Sequence, residues 1–476
     1  MSEEMTAPVL THQSGFNALR TGASPVRVVP RWWRDASIVG LWAILMFVIA
    51  LWVSNGALAQ FTSPADAFTA LGRLAGLIAS ALLLVQVFLM ARVPWIEKAW
   101  GQDELTRLHR IVGFTSFTLL LGHVVLIVIG YASARPERVW STIVDLTLNY
   151  PGMLLGVAGF GALCMIVVTS YRAARRLLRY ESWHLIHLYA YLGTGLALPH
   201  QLWTGQDFLA SPVSTVFWWT LYAVCLAAVV VFRLGLPLWQ STRGALRVLD
   251  VRAEGPDATT VTVGGPGVKR LGAQGGQFFQ WRFLDGPGWT RAHPYSLSAA
   301  PSSSTLRFTA ARVGDGTTAL STLRPGTRVL VEGPYGRMHP GTRTNQRVLL
   351  AGAGIGITPM RALLESLPQA PGDVMIVNRV RSEHEAILAR EIDYLTGELG
   401  AEHHLLIGRR IHDRASWLPE AAAGWDDTQA LLEICPDVAH RDVYVCGPPA
   451  WVSAFNKAAK HAGVPATNIH VELFEL

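Results

Sequence analysis

The chain has 476 residues, half of them apolar, with a formal net charge of +6 at pH 7 and four cysteines. That length gives room for two or three domains. The charge does not point to nucleic acid, because most arginines of the first half stand beside apolar segments, and four cysteines without a CxxC pair argue against a disulfide framework or structural zinc.

Mean hydropathy is positive, but the long apolar runs all lie in the first half. Residues 1–35 lack the apolar core and cleavage site of a signal peptide and read as a short cytoplasmic tail. Six segments then suffice to span a bilayer: Ala36–Val53, Ala67–Met90, Leu108–Ile129, Gly152–Ser170, Ser182–Leu202 and Pro212–Phe232. Arg20, Arg27, Arg31 and Arg34 precede the first. Arg92, Lys98, Arg107 and Arg110 lie between or at the edges of the second and third. Arg172, Arg175, Arg176 and Arg179 link the fourth to the fifth, and Arg233, Arg243 and Arg247 follow the sixth. The opposite loops offer Arg135 and Arg138, accompanied by Glu137 and Asp145. This asymmetry predicts a multi-pass protein of the cell membrane with both termini cytoplasmic.

His109 and His123, fourteen residues apart, share the third span; His187 and His200, thirteen apart, share the fifth. Either spacing separates two imidazoles by roughly 20 Å along a helix axis, and fourteen residues return to within about 40° of the starting face. Both spans run outward, so His109 and His187 fall at the cytoplasmic level and His123 and His200 at the outer level. Such helices side by side make two stacked bis-histidine sites, the arrangement that holds two haems and carries electrons across a bilayer. Ionisable groups at membrane depth are rare and tend to mark function. His184, three residues before His187, fits the spacing of the partner helix worse and is read as a neighbour of the ligands. Arg73, one or two turns inside the outer end of the second span, has two readings. It snorkels to the interface, or it pairs with an outer-haem propionate beside the acceptor site.

After Arg247 the pattern changes to short β-rich runs at 245–253, 259–265, 276–284, 295–300, 305–313 and 328–333, as expected of a small antiparallel barrel. From Arg347 strands at 347–354, 373–380, 403–410 and 442–447 alternate with helices at 358–367, 383–399 and 449–463, which describes a parallel α/β domain. Four motifs follow in order: Arg291–Ser298, an aromatic followed by hydroxyls; Gly314–Thr318, a turn able to receive a diphosphate; Gly352–Pro359, a glycine-rich strand-to-helix turn; and Cys446–Pro449 at a late strand end. Arg379 and Arg381 follow the strand that begins at Asp373, where charge-assisted hydrogen bonds could hold a 2′-phosphate.

In this order the motifs resemble the ferredoxin–NADP reductase family, and the first half resembles the ferric reductase-like transmembrane domain. Their fusion is similar to a bacterial member of the NADPH oxidase and ferric reductase superfamily over roughly residues 36–476. The resemblance implies a six-helix transmembrane bis-haem bundle at 36–233, an antiparallel β-barrel FAD domain at 234–342 and an α/β parallel-sheet NAD(P)H domain at 343–476. It assigns His293, Pro294, Tyr295, Ser296, Leu297 and Ser298 to the flavin. Tyr295 would pack against the isoalloxazine and Ser296 would bond near its reactive nitrogen. His293 stands where soluble reductases more often have arginine. Gly314, Asp315, Gly316, Thr317 and Thr318 would lie near the flavin diphosphate. Gly352, Gly354, Gly356, Thr358 and Pro359 would form the nicotinamide-cofactor loop, with Cys446, Gly447 and Pro448 beside the nicotinamide. Phe474 would cover the flavin ring.

The cofactors implied are FAD, two b-type haems and NADPH, with NADH as the alternative. The activity implied is passage of electrons from cytosolic NAD(P)H through FAD and both haems to an outer acceptor, oxygen giving superoxide or a ferric chelate. A rival is a membrane electron-transfer subunit serving a periplasmic reductase. Neither nucleic acid nor an obligatory protein partner is inferred. The charge asymmetry predicts that protease added to intact cells spares Arg247–Leu476 while inverted vesicles expose it. Cleavage of that half in intact cells would reverse the orientation.

Overall fold

The computed structural model describes residues 32–133, 139–175, 177–178, 180–286, 289 and 291–473. Phe474 lies outside the described residues, as do Arg20, Arg27, Arg31, Arg135, Glu137, Arg138, Arg176 and Arg179. The chain divides into two compact units, one within Arg31–Gly235 and one within Leu236–Leu476.

The first unit is helical: α1 (Trp32–Ser54), α2 (Pro64–Leu89), α3 (Pro94–Trp100), α4 (Gln102–Ala132), α5 (Val139–Asn149), α6 (Met153–Ser170), α7 (Arg172–Arg175), α8 (Tyr180–Trp203) and α9 (Pro212–Ala228), the last continued by a π turn at Val229–Gly235. Two long helices start in the same way. Ser63 accepts from the Asp66 amide ahead of Pro64, and Ser211 accepts from the Ser214 amide ahead of Pro212. A hydroxyl cap satisfies one orphan donor, and a proline at the first position has no amide to lose.

Among the described residues, five helical stretches are long and apolar enough to cross a membrane: Trp32–Ser54, Pro64–Leu89, Glu104–Ala132, Met153–Ser170 and Pro212–Ser241. The expected fifth span, Ser182–Leu202, is part of α8 but is not one of them. Its 24 residues cover about 36 Å, more than the ~30 Å of a hydrocarbon core. Its composition falls short because His184, His187, Tyr189, Tyr191, His200 and Gln201 dilute the apolar run.

α2 and α4 pack antiparallel in a seven-residue rhythm. His109 Nδ1 lies 3.1 Å from the Gln86 carbonyl, Ser116 Oγ donates to the Ala79 carbonyl at 2.9 Å, and His123 Nδ1 lies 2.8 Å from the Gly72 carbonyl. Steps of seven on both helices are the signature of coiled-coil-like packing, in which each seventh residue returns to the seam. α6 and α8 are also antiparallel neighbours: Gly156 abuts His200, Gly159 abuts Gly193, and Ser170 reaches His187. Val48, Trp52, Ala70, Leu77, Ala81, Phe208 and Trp218 fill the core between α1, α2 and α9.

The second unit opens with α10 (Leu236–Gly244). A β-rich half follows: β1 (Arg247–Glu254), β2 (Ala258–Gly264), α11 (Val268–Leu271), β3 (Phe278–Phe283), β4 (His293–Ser296), β5 (Thr305–Ala311), α12 (Asp315–Thr318) and β6 (Val329–Tyr335). These strands make two antiparallel sheets, β1-β2-β5 and β4-β3-β6, touching through isolated pairs at Leu297–Phe308 and Arg247–Arg328. The expected barrel is thus two three-stranded sheets rather than one continuous ladder. Fully buried Phe279, Trp281, Leu297 and Phe308 lie in the core between them.

β7 (Val348–Ala353), α13 (Ile357–Ser366), β8 (Val374–Val380), α14 (Ala389–Leu399), β9 (Glu402–Ile407), α15 (Asp427–Ile434), β10 (Asp442–Gly447), α16 (Pro449–His461) and β11 (Ile469–Leu473) complete the chain. The five strands form one parallel sheet in the order β11-β10-β7-β8-β9. β7, β8 and β10 are buried along their whole length, as central strands are when helices cover both faces.

A four-charge cluster ties the β-rich half to this sheet domain. Arg307 of β5 and Arg361 of α13 both pair with Glu391 of α14, Arg361 also pairs with Glu365, and the Glu365 carboxylate accepts from the Ala300 amide at 2.7 Å. Burial alone would raise the Glu391 carboxyl, but the two guanidinium groups hold it below its ordinary value.

Candidate functional site

The four histidines chosen by spacing meet in two pairs. The His109 and His187 rings have centroids 6.0 Å apart, and the His123 and His200 rings 6.4 Å apart. α4 supplies one ring of each pair and α8 the other. A carbonyl can only accept, so the bonds to Gln86 and Gly72 put the proton on Nδ1 of His109 and His123 and leave Nε2 with its lone pair. Two glycines let neighbouring helices come close. A Cβ at Gly76 of α2 would lie 2.7 Å from the His123 ring, and one at Gly156 of α6 would lie 3.2 Å from the His200 Cβ.

The agreement in spacing conceals a difference in phase. Thirteen residues turn an ideal helix by about 220°, so regular winding alone does not aim His187 and His200 at one partner. Pro199 lies inside α8 immediately before His200. It removes the amide bond to the Gly195 carbonyl and frees the ladder locally. His187 is an α8 residue whose ring meets His109. Among the described residues no group of three or more His, Cys, Asp or Glu is arranged to hold a metal ion; each of these sites is a pair.

Arg73 has a partner within the chain. Its Nε and Nη2 each donate to the Asp207 carboxylate at 2.8 Å, and its Nη1 donates to Gln60 Oε1 at 2.6 Å. The side chains of Arg73 and Asp207 are 16% and 6% exposed. A charge buried at that depth needs a counter-charge, and the chain supplies its own. This bidentate contact is a partner that neither reading named.

In the β-rich half, Tyr295 stacks on Phe308 with centroids 4.9 Å apart and 11° between planes, and His293 lies parallel beyond it at 5.9 Å. The Tyr295 hydroxyl and Ser296 Oγ are buried with no hydrogen-bond partner among the described residues, and burial pushes the Tyr295 phenol pKa up. Two residues assigned to the flavin face the core instead. Leu297 is fully buried in it, and the fully buried Ser298 hydroxyl accepts from Thr309 at 2.9 Å. Gly316 lies against the His293 ring, where a Cβ would come to 2.5 Å. The Thr317 hydroxyl accepts from the Val313 and Gly314 amides, and Thr318 donates to the Gly314 carbonyl, so both hydroxyls close their own loop. The Asp315 side chain lies outside the described residues.

The glycine-rich turn packs directly on the late strand end. A Cβ on Gly356 would collide with the Cys446 carbonyl, and Gly354 has φ +55°. The Thr358 hydroxyl donates to the Ile355 carbonyl and holds the turn, ahead of buried Pro359. Gly352–Pro359 and Cys446–Pro448 are therefore neighbours at the C-terminal ends of the adjacent inner strands β7 and β10. Opposite Cys446 in register is Glu472 of β11, 8% exposed, with its carboxylate against Gly336. Sequence reasoning missed Glu472; the signal was an acidic residue inside the apolar alternation of the last strand.

Arg379 and Arg381 separate. Arg379 is 7% exposed, and its guanidinium donates to the Val380, Leu406, Gly408 and Arg409 carbonyls, closing the corner between β8 and β9. It is not available to a phosphate. Arg381, past the end of β8, is exposed.

Comparison with known proteins gives two family matches: a ferric reductase like transmembrane component at residues 75–198 and an oxidoreductase NAD-binding domain at residues 350–457. The ferredoxin reductase component of 3-ketosteroid-9-alpha-monooxygenase from Mycolicibacterium smegmatis is 30% identical over 242 residues, which is 48% of this chain and 65% of that protein. A flavohemoprotein from Xylella fastidiosa is 27% identical over 46% of this chain and 56% of its own length. The chain spans roughly half to two thirds of the length of such relatives (65%, 64% and 53% for three of them). Among solved structures, the flavohem-like FAD/NAD binding domain of nitric oxide dioxygenase from Vibrio cholerae O1 biovar El Tor aligns with 48% of this chain and 98% of its own, at 23% identity and a TM-score of 0.41.

The two arginines are expected to answer mutation differently. Arg379→Ala strands buried carbonyls and costs about 2–3 kcal/mol of stability, visible as a lower melting temperature of the full chain. Arg381→Ala leaves melting unchanged and weakens NADPH more than NADH. Equal melting of wild type and Arg379→Ala would contradict the structural role.

Proposed function

We propose, on the premise that this chain joins a ferric reductase-like transmembrane domain to a FAD/NAD-binding, ferredoxin reductase-like module in the fused ferric reductase/NADPH oxidase-type architecture, that it is a transmembrane NAD(P)H oxidoreductase. It carries electrons from NAD(P)H on the cytoplasmic side to an acceptor outside. The working division is bis-haem carriage by residues 36–233, flavin binding by 234–342 and nicotinamide binding by 343–476.

The observation that carries this reading is the separation of the imidazoles. A metal–imidazole bond is about 2.0–2.1 Å and a ring centre lies about 1.1 Å behind its nitrogen, so two imidazoles that would share one metal have centres at most about 6.2–6.4 Å apart. The observed values are 6.0 and 6.4 Å. The Nδ1–carbonyl bonds of His109 and His123 are the outer-shell contacts that orient metal-ligating histidines. These residues fit a haem at each level. His109 and His187 would hold one, His123 and His200 the other. A bound flavin supplies the conversion of a hydride into single electrons, and bound haems supply one-electron carriage.

In the reductase half, Tyr295 and Ser296 would orient the flavin ring with their unpaired hydroxyls, and the Gly314–Thr318 loop would lie by the diphosphate. The Gly352–Pro359 turn and Cys446–Pro448 would hold the nicotinamide end. Arg381 would read a 2′-phosphate, favouring NADPH, and Phe474 would cover the flavin until nicotinamide arrives. With both histidines of each pair engaged in holding a haem, an acceptor would take electrons without becoming a ligand of the metal. Arg73, neutralised by Asp207, does not offer the outer end of α2 a free cation to draw an anionic ferric chelate. That favours neutral oxygen, reduced by one electron to superoxide.

Pyridine haemochrome assays test the pairing. Wild type and His184→Ala should carry two haems per chain. His123→Ala or His200→Ala should lose the outer haem, and His109→Ala or His187→Ala the inner. Two haems in His200→Ala would sink the assignment.

A further inference from the structure

The four imidazoles are not held alike. On α4, His109 and His123 each place Nδ1 on an α2 carbonyl. On α8, His187 has the Ser170 hydroxyl at 3.4 Å, and the buried Nδ1 of His200 has no hydrogen-bond partner among the described residues. His200 also follows Pro199, which weakens the helix ladder at that point. Something other than its own ring must aim it.

The residue that follows is anchored from two sides. Gln201 Nε2 donates to Ser80 Oγ on α2 at 3.0 Å, and Gln201 Oε1 accepts from the Tyr222 hydroxyl on α9 at 2.6 Å. Ser80 lies one helical turn along α2 from Gly76, the residue in contact with the His123 ring. One amide thus ties three helices together beside the His123–His200 pair. Hydrogen bonds between membrane helices are individually modest, but two on one amide fix the rotation of a segment loosened by proline. Because neighbouring residues on a helix are separated by a fixed ~100°, pinning Gln201 pins the direction of His200.

We propose that Gln201, clamped between Ser80 and Tyr222, is the positioning residue for His200. The proposal rests on the bis-histidine haem reading. An axial imidazole stabilises ferric iron more than ferrous, so a less firmly aimed ligand raises the potential of its haem and lets an exogenous ligand compete.

The test is a redox titration, followed optically, of the purified full chain as wild type, Gln201→Leu and Tyr222→Phe, with carbon monoxide added to the reduced forms. The haem missing from His123→Ala identifies the outer signal. Gln201→Leu should keep two haems and shift the outer haem's oxidised-to-reduced equilibrium about tenfold toward reduced, about 59 mV for a one-electron couple. It should also gain carbon monoxide binding at that haem alone. Tyr222→Phe should shift the same way by less. An outer potential unchanged in both variants overturns the positioning role. If Gln201→Leu does not assemble, Tyr222→Phe decides alone, an unchanged potential again overturning it. Wild type without haem overturns the underlying haem reading, a distinct result.

Discussion

A backbone carbonyl within a helix accepts from the amide four residues ahead and still has a second lone pair. α4 uses that second site on α2 three times at seven-residue intervals, from His109, Ser116 and His123 to Gln86, Ala79 and Gly72. In an apolar bundle an imidazole N–H left unpaired is costly, so these bonds set which nitrogen carries the proton and where the other points. The facing rings of α8, the close approach at Gly76 and the two-level arrangement all depend on α4 being locked in that register.

α8 meets a different constraint. Its histidines must reach α4 across a gap while their helix packs on α6, and a spacing of thirteen does not match the heptad. Pro199 and the Gln201 anchors are where the structure absorbs the mismatch. The same polar side chains that α8 turns toward α4 keep it from standing among the apolar spans.

Much of this was legible in the sequence because its signals are local. Four histidines in apolar runs, a glycine-rich turn after a buried strand, and an aromatic followed by hydroxyls each follow from neighbouring residues. What was hidden depends on distant ones. Arg73 and Asp207 are 134 positions apart, and no spacing rule joins them. Arg379 and Arg381 look alike in the sequence, yet one lies in the strand and turns inward to four carbonyls while the other leaves it. Ser296 and Ser298 share a motif, but the bond from Thr309 draws Ser298 into the core. Spacings of thirteen and fourteen are nearly the same in length but differ in helix phase.

The central claim is that nicotinamide oxidation and the paired histidines belong to one electron path. Anaerobic stopped-flow mixing of NADPH with the purified full chain tests it most directly. The account predicts that flavin absorbance bleaches first and that the reduced-haem bands then rise to two haems per chain. Flavin that bleaches while no haem band appears would contradict it.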